Sequence, residues 1–207
     1  MNICVFASGN GTNFKVIIDS INKGYLKSKI SHLISDNPEC GAVKTAKANN
    51  INYCVISRKI YPDLSEAEYS EKFLQAFENN ETDFIVLSGY LQYLQVEIIR
   101  KFENRIINIH PSLLPSFGGK GMYGINVHKA VIESGVKVTG ITIHFVNEKY
   151  DEGKIIFQKC CNVNPDDDEN ILQRRVRKLE HKYYKEIIKN FEDERIVISG
   201  DKVKIEK

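Results

Sequence analysis

No apolar run in these 207 residues approaches the length of a membrane span, which excludes a helical membrane protein. An excess of charge of one sign is also missing. Lys+Arg 29 against Asp+Glu 27 leaves +2, so there is no general basic coat for nucleic acid, and any anionic ligand must be held by local features. The five cysteines, Cys4, Cys40, Cys54, Cys160 and Cys161, form no C-x-x-C pair and no zinc spacing, so no metal site is expected. Cys4, Cys54 and Cys160 fall in apolar strand-like runs and are expected to be buried free thiols. The opening Met1-Asn2-Ile3-Cys4-Val5 lacks a signal-peptide layout, and the expected compartment is a reduced cytoplasm. Neither an internal repeat nor a linker is visible, so one domain over 1–207 with one sizeable core is expected.

What is present alternates in the βα manner. Ile3–Ala7, Ile30–Ser35, Tyr53–Ile56, Phe84–Leu87 and Ile106–Ile109 are short apolar runs of strand type. Asn13–Asn22, Gly41–Asn49, Ser65–Glu78 and Val96–Phe102 carry helical periodicity between them. This pattern predicts an α/β protein with a doubly wound, mostly parallel central sheet. Later, Gly140–Val146 and Lys154–Lys159 flank a turn at 147–153 and predict an antiparallel C-terminal portion. Val127–Ser134 and Asp168–Phe191 predict helices, and Ile196–Ile205 a terminal hairpin turning at Ser199-Gly200. Ser116–Asn126, with four glycines, predicts a mobile loop.

Asn108-Ile109-His110-Pro111-Ser112-Leu113-Leu114-Pro115 is the most informative stretch. Side chains alternate across a strand, so Asn108 and His110 emerge on one face where Pro111 ends the pairing. An Asp in the later turn, Asp151, completes a set suited to acyl transfer. The carboxylate would raise the His110 pKa and keep it protonated. His110 and the Asn108 amide would then donate to a developing oxyanion. No nucleophilic residue is needed if the substrate brings its own amine. Ser8-Gly9-Asn10-Gly11-Thr12-Asn13 follows the first strand and opens the first helix, a setting for a phosphate on free backbone N–H groups. It is neither a dinucleotide fingerprint, since Phe14 stands where a third Gly belongs, nor a Walker loop. Ser88–Leu94 follows the fourth strand and suits a rim pocket for a flat aromatic ligand. His32, His128, His144 and His181 are expected to be structural or solvated.

SGNGTN, SGYLQYL, NIHPSLLP, KVTGITIHFV and YDEG occur in this order across nearly the whole chain. Together they resemble the phosphoribosylglycinamide formyltransferases of the folate-dependent formyltransferase superfamily. The resemblance implies a seven-stranded sheet and formyl transfer from 10-formyltetrahydrofolate, a co-substrate, to the glycinamide amine in purine biosynthesis. It implies that His110 is the general acid, Asn108 its oxyanion partner and Asp151 the carboxylate that raises the His pKa. Gly11, Thr12, Asn13 and Glu180 match ribonucleotide-binding positions. Leu91, Gln92, Tyr93 and Leu94 match a folate-binding segment, as do Asn108 and the turn Asn147, Glu148, Lys149, Tyr150 and Asp151. The implied partners are small-molecule substrates, with no metal, nucleic acid or membrane, in a monomer or homodimer. The chain departs from some members in having no Arg at Ser65-Glu66 for the folate tail, where Arg58 is a loose substitute. The loop at Phe117–Asn126 is also longer and richer in Gly than in some members. Alternatives are another formyltetrahydrofolate-dependent formyltransferase or hydrolase, or a non-catalytic nucleotide-binding homologue.

Overall fold

Short, fully apolar strands can be stable only where both faces of a sheet are covered, and the first half of the chain builds such a sheet. The structure, a computed structural model, describes residues 1–206. Its first elements are β1 (Asn2–Phe6), α1 (Thr12–Asn22), β2 (Lys29–Ser35), α2 (Gly41–Ala48), β3 (Tyr53–Val55), α3 (Glu66–Asn79), β4 (Phe84–Leu87), α4 (Val96–Lys101) and β5 (Ile106–His110). There follow α5 (Ile125–Ser134), β6 (Val138–Phe145), β7 (Ile155–Asn162), α6 (Glu169–Glu192), β8 (Ile196–Ser199) and β9 (Lys202–Ile205). Seven strands form a mostly parallel sheet in the order β3-β2-β1-β4-β5-β6-β7, and β8-β9 form a separate hairpin. The chain divides into two compact units, Met1–Ile107 and the chain from Asn108 on.

In the first unit, β1 pairs in parallel with β2 and β4, and β2 with β3. Sequence neighbours on either side of β1 diverge here, which makes the carboxyl ends of β1 and β4 the topological switch point where such sheets bind ligands. Ile3 to Ala7 and Phe84 to Leu87 are buried, as is the α1 stripe Phe14, Ile17 and Ile18. Helix α3 starts from a complete capping box: Ser65 Oγ accepts from the Glu68 N–H, and Glu68 accepts from the Ser65 N–H. Its stripe Tyr69, Phe73 and Phe77 is buried. The Phe6 ring stacks on Phe73 at 6.0 Å and meets Tyr90 edge-on at 5.0 Å. Each such buried ring contributes roughly 1.5–3 kcal/mol from apolar burial alone.

In the second unit, β6 and β7 pair antiparallel, with a register shift between Ile143 and His144. Helix α6 is capped by Asp168, which accepts the Ile171 N–H at 2.6 Å. It buries Leu172, Val176, Tyr184, Ile187 and Ile188. The terminal hairpin forms as expected, though its turn falls at Gly200-Asp201. Helix α5 begins at Ile125, two residues earlier than the periodicity indicates. Cys160 corrects the sequence expectation. It is exposed, because β7 closes the sheet order at one end and buries only Ile156 among its residues. Cys54 is half-buried, and Cys4 is buried as expected. Among the described residues no helix is long and apolar enough to cross a membrane.

Candidate active site

The strand alternation of β5 turns Asn108 and His110 to one side, and both meet partners within the second unit. His110 is 4% exposed. Its Nε2 donates to the Phe117 carbonyl oxygen at 2.8 Å, and its Nδ1 lies 3.5 Å from Asp151 Oδ2. Asn108 Nδ2 lies 3.2 Å from His144 Nε2. The same His144 nitrogen is 3.6 Å from Asp151 Oδ1. One carboxylate is thus flanked by two imidazoles, and the Gly119 N–H donates to it at 2.9 Å. Asp151 reaches this place because its backbone takes a left-handed turn conformation, φ 55°.

Burial works against ionisation of Asp151, yet its pKa is held below the usual carboxylate range. The two facing histidines and the Gly119 N–H favour the charged form. His110 departs from the sequence expectation. Burial is its largest influence and pushes its pKa down. Asp151 and the Phe117 carbonyl push it up without prevailing, and His144 adds a downward push. The sequence shows the carboxylate but not the depth at which the ring is buried. The predicted net rise is therefore corrected to a net fall, while the sign of the Asp151 contribution stands.

The loop after β5 is held from β6 and β7. Thr142 Oγ1 donates to the Ser112 carbonyl at 2.7 Å and accepts the Leu114 N–H at 2.9 Å. Gln158 Nε2 donates to the Leu114 carbonyl at 2.9 Å. The Leu114–Pro115 peptide is cis. Gly118 lies so near that a Cβ would sit 2.5 Å from Leu114 Cδ2 and 3.3 Å from Asp151 Cβ. Asn147, Glu148, Lys149 and Tyr150 form an exposed turn, and Asp151 is the residue of that turn that reaches the imidazoles. Glu180 is half-buried on α6.

His144 is the residue of this cluster that sequence reasoning left out. It looked structural because it stands in an apolar strand. The available signal was its place at the end of a strand leading into the turn that carries Asp151. The register shift beside it is of the kind that re-aims a side chain next to a site.

In the first unit, the switch point holds both segments expected to bind ligands. The Ser8 N–H donates to the Gly89 carbonyl at 3.1 Å, and Ser8 Oγ accepts the Leu91 N–H at 2.9 Å. Gly11 caps α1 with φ 66° and no side-chain cap, and no acidic residue stands in the first turn. The N–H groups of Thr12 and Asn13 thus begin a helix open to an anion. Leu91 and Tyr93 are exposed, Leu94 is buried, and Gln92 Nε2 donates to Asp36 at 2.8 Å. Arg58 is committed elsewhere. It pairs with Glu66 at 2.5 Å, donates to the Leu64 carbonyl and stacks 4.0 Å over Tyr69.

The chain belongs to the formyl transferase family, whose profile matches residues 1–188. It is 40% identical over 194 residues to a chloroplastic phosphoribosylglycinamide formyltransferase of Arabidopsis thaliana, covering 94% of this chain and 66% of that protein. The phosphoribosylglycinamide formyltransferase of Bacillus subtilis (strain 168) is 34% identical over 185 residues, covering 89% of this chain and 91% of that one. The chain therefore spans just under two thirds of the plant relative and most of the bacterial one. Among solved structures, glycinamide ribonucleotide transformylase 1 from Symbiobacterium toebii superposes with a TM-score of 0.91 at 33% identity. That match covers 100% of this chain and 94% of that chain. A formyltetrahydrofolate deformylase from Pseudomonas syringae pv. tomato, 22% identical, shares the fold with a TM-score of 0.86.

Proposed function

We propose that this protein transfers the formyl group of 10-formyltetrahydrofolate to the amine of phosphoribosylglycinamide, giving formylglycinamide ribonucleotide and tetrahydrofolate. The observation that carries this reading is the convergence of Asn108, His110 and Asp151, with hydrogen-bond donors and a carboxylate but no side-chain nucleophile among them. Such a set suits an acyl transfer in which the acceptor supplies the attacking nitrogen.

In this mechanism the neutral amine attacks the formyl carbon. Charge develops on the formyl oxygen, and His110 Nε2–H and an Asn108 Nδ2–H receive it. The Phe117 carbonyl oxygen, 2.8 Å from His110 Nε2, occupies the position an accepting substrate oxygen would take. Burial favours the neutral ring before reaction. A nearby oxyanion, together with Asp151, favours the imidazolium, so this interaction strengthens in the transition state. The new C–N bond forms as the amine nitrogen loses a proton. The bond from carbon to N10 of the folate breaks as N10 gains one, and the proton count closes.

The open start of α1 at Gly11, Thr12 and Asn13 is assigned to the ribonucleotide phosphate, and Glu180 to the same substrate. Leu91 to Leu94 and the 147–151 turn are assigned to the folate. One formyltransferase domain working in the cytoplasm as a monomer or homodimer belongs to the same reading, and the family match over residues 1–188 supports its formyltransferase part. The test is product formation from 10-formyltetrahydrofolate with phosphoribosylglycinamide as acceptor, run beside formate-release and tRNA controls. Formyl transfer to the glycinamide alone is expected. Formate release without acceptor, or transfer to tRNA, would replace this reading.

A further inference from the structure

We infer that Thr142 is a positioning residue that, by holding Leu114, sets where the Asp151 carboxylate stands against His110; the inference rests on the formyl-transfer reading above. Thr142, Ser112 and Leu114 are all buried. A hydroxyl has one hydrogen and two lone pairs, and here each is used. Thr142 Oγ1 donates to the Ser112 carbonyl at 2.7 Å. It accepts the Leu114 N–H at 2.9 Å and a Gln158 Nε2 hydrogen at 3.0 Å. Chemistry fixes these directions, since a carbonyl can only accept and a backbone N–H can only donate. Gln158 stands directly opposite Thr142 on β7, and its Nε2 also donates to the Leu114 carbonyl at 2.9 Å. Both main-chain polar groups of Leu114 are thus held from β6 and β7. Neither the Leu114 N–H nor the Ser112 carbonyl has another partner among the described residues.

Leu114 is the link to the carboxylate. Gly118 lies against both, since a Cβ there would meet Leu114 Cδ2 at 2.5 Å and Asp151 Cβ at 3.3 Å. The next residue, Gly119, donates its N–H to Asp151 Oδ2 at 2.9 Å. That is the oxygen 3.5 Å from His110 Nδ1. The segment between is short and tied, because Ser112 Oγ donates to the Ser116 carbonyl at 2.6 Å. A shift of Leu114 therefore passes to Gly118 and Gly119 and moves the carboxylate. The groups facing the His110 ring are Asp151 and the Phe117 carbonyl, which favour its charged form, and His144, which opposes it; His128 also interacts with the ring. Of the side chains among them, Asp151 is the one that Gly119 holds.

The experiment reads rate and titration together on the intact enzyme. Thr142→Val keeps the shape of the side chain and removes the hydroxyl, which leaves a buried N–H and a buried carbonyl unpaired. It should lower kcat by about 10–100-fold, since misplacing a group by about 1 Å costs about 10²-fold. KM for both substrates should stay within about threefold, the mark of an interaction used in the transition state. The NMR titration of His110 should move to lower pH, because a displaced Asp151 favours the charged ring less. A merely structural hydroxyl would lower Tm and leave that titration in place. Thr142→Ser, which keeps the hydroxyl, should restore most of the rate and the titration. In an Asp151→Asn background, Thr142→Val should cost less than about threefold. An unchanged His110 titration in Thr142→Val, or equal rate losses in both backgrounds, would overturn the inference. If Thr142→Val does not fold, Gln158→Leu decides, at an exposed position that supplies the hold on the Leu114 carbonyl. It should slow transfer by about 2–10-fold, as loss of one hydrogen bond implies, and shift His110 in the same direction; no change in either would overturn the inference. A His110 shift in Thr142→Val, with no transfer to phosphoribosylglycinamide by the wild-type enzyme, would sink the functional reading and leave the linkage from Thr142 to Asp151 in place.

Discussion

Gly153→Ala is the smallest change that should disable the site without touching a residue in it. The added methyl would stand 1.7 Å from the Phe145 carbonyl oxygen and 2.7 Å from its carbon. Ordinary contact needs about 3.5 Å, so backbone must move by more than 1 Å, and neither partner is a flexible side chain. Gly153 and Asp151 share one turn, so the displacement carries the carboxylate away from His110 and His144, now at 3.5 and 3.6 Å. A shift of that size costs about 10²-fold in rate. Overpacking of this kind costs about 1–3 kcal/mol in stability, or a Tm lower by about 2–12 °C. Steady-state kinetics and a thermal melt on the same preparation read both. Gly135→Ala is the control. Gly135 ends α5 at φ 69° with nothing within 4 Å of the added methyl. It should lose about 1–2 kcal/mol from left-handed strain and keep its rate. A Gly153→Ala enzyme with near-normal kcat and Tm would refute the steric reasoning.

Asp151→Asn removes a group that favours the charged His110 ring, so the His110 pKa should fall further below the usual histidine range. An unchanged His110 titration by NMR would contradict that. Phe73→Ala empties a fully buried position against Phe6 and Tyr69 and should lower stability by about 3–5 kcal/mol, read by denaturant unfolding; a loss below about 1 kcal/mol would count against the packing described. Gly11→Val places its Cβ 2.8 Å from Ala42 at a left-handed φ. It should raise KM for the ribonucleotide by roughly tenfold, about 1.4 kcal/mol, with KM for the folate little changed; equal effects on both would argue against phosphate at this turn.

Much of the fold was legible because local signals agreed with one another. The Ser65 cap, the Tyr69–Phe73–Phe77 stripe and the alternation of apolar strands with helices all point to a parallel sheet, and β1 to β5 follow. The pairing of Asn108 with His110 was legible from strand period alone. Asp151 was legible as a turn residue and owes its partner role to the resemblance and to the set of residue types. What escaped depends on distance through the fold. His144 looked like any buried strand residue, since nothing local marks a register shift. The downward pull on His110 needed its burial, which is a property of packing. Cys160 was misplaced because sequence does not show that β7 ends the sheet order. The glycine at 153 showed a turn, but not that its missing Cβ lets a carbonyl approach.

The most direct measurement follows a carbon-13 formyl group on 10-formyltetrahydrofolate by NMR in the presence of phosphoribosylglycinamide, with wild-type and His110→Ala enzymes side by side. The label is expected to appear as a formamide on the glycinamide nitrogen with the wild-type enzyme. With folded His110→Ala enzyme it should appear about 10²–10³-fold more slowly. Label recovered as free formate, or equal transfer by both enzymes, would contradict formyl transfer through His110.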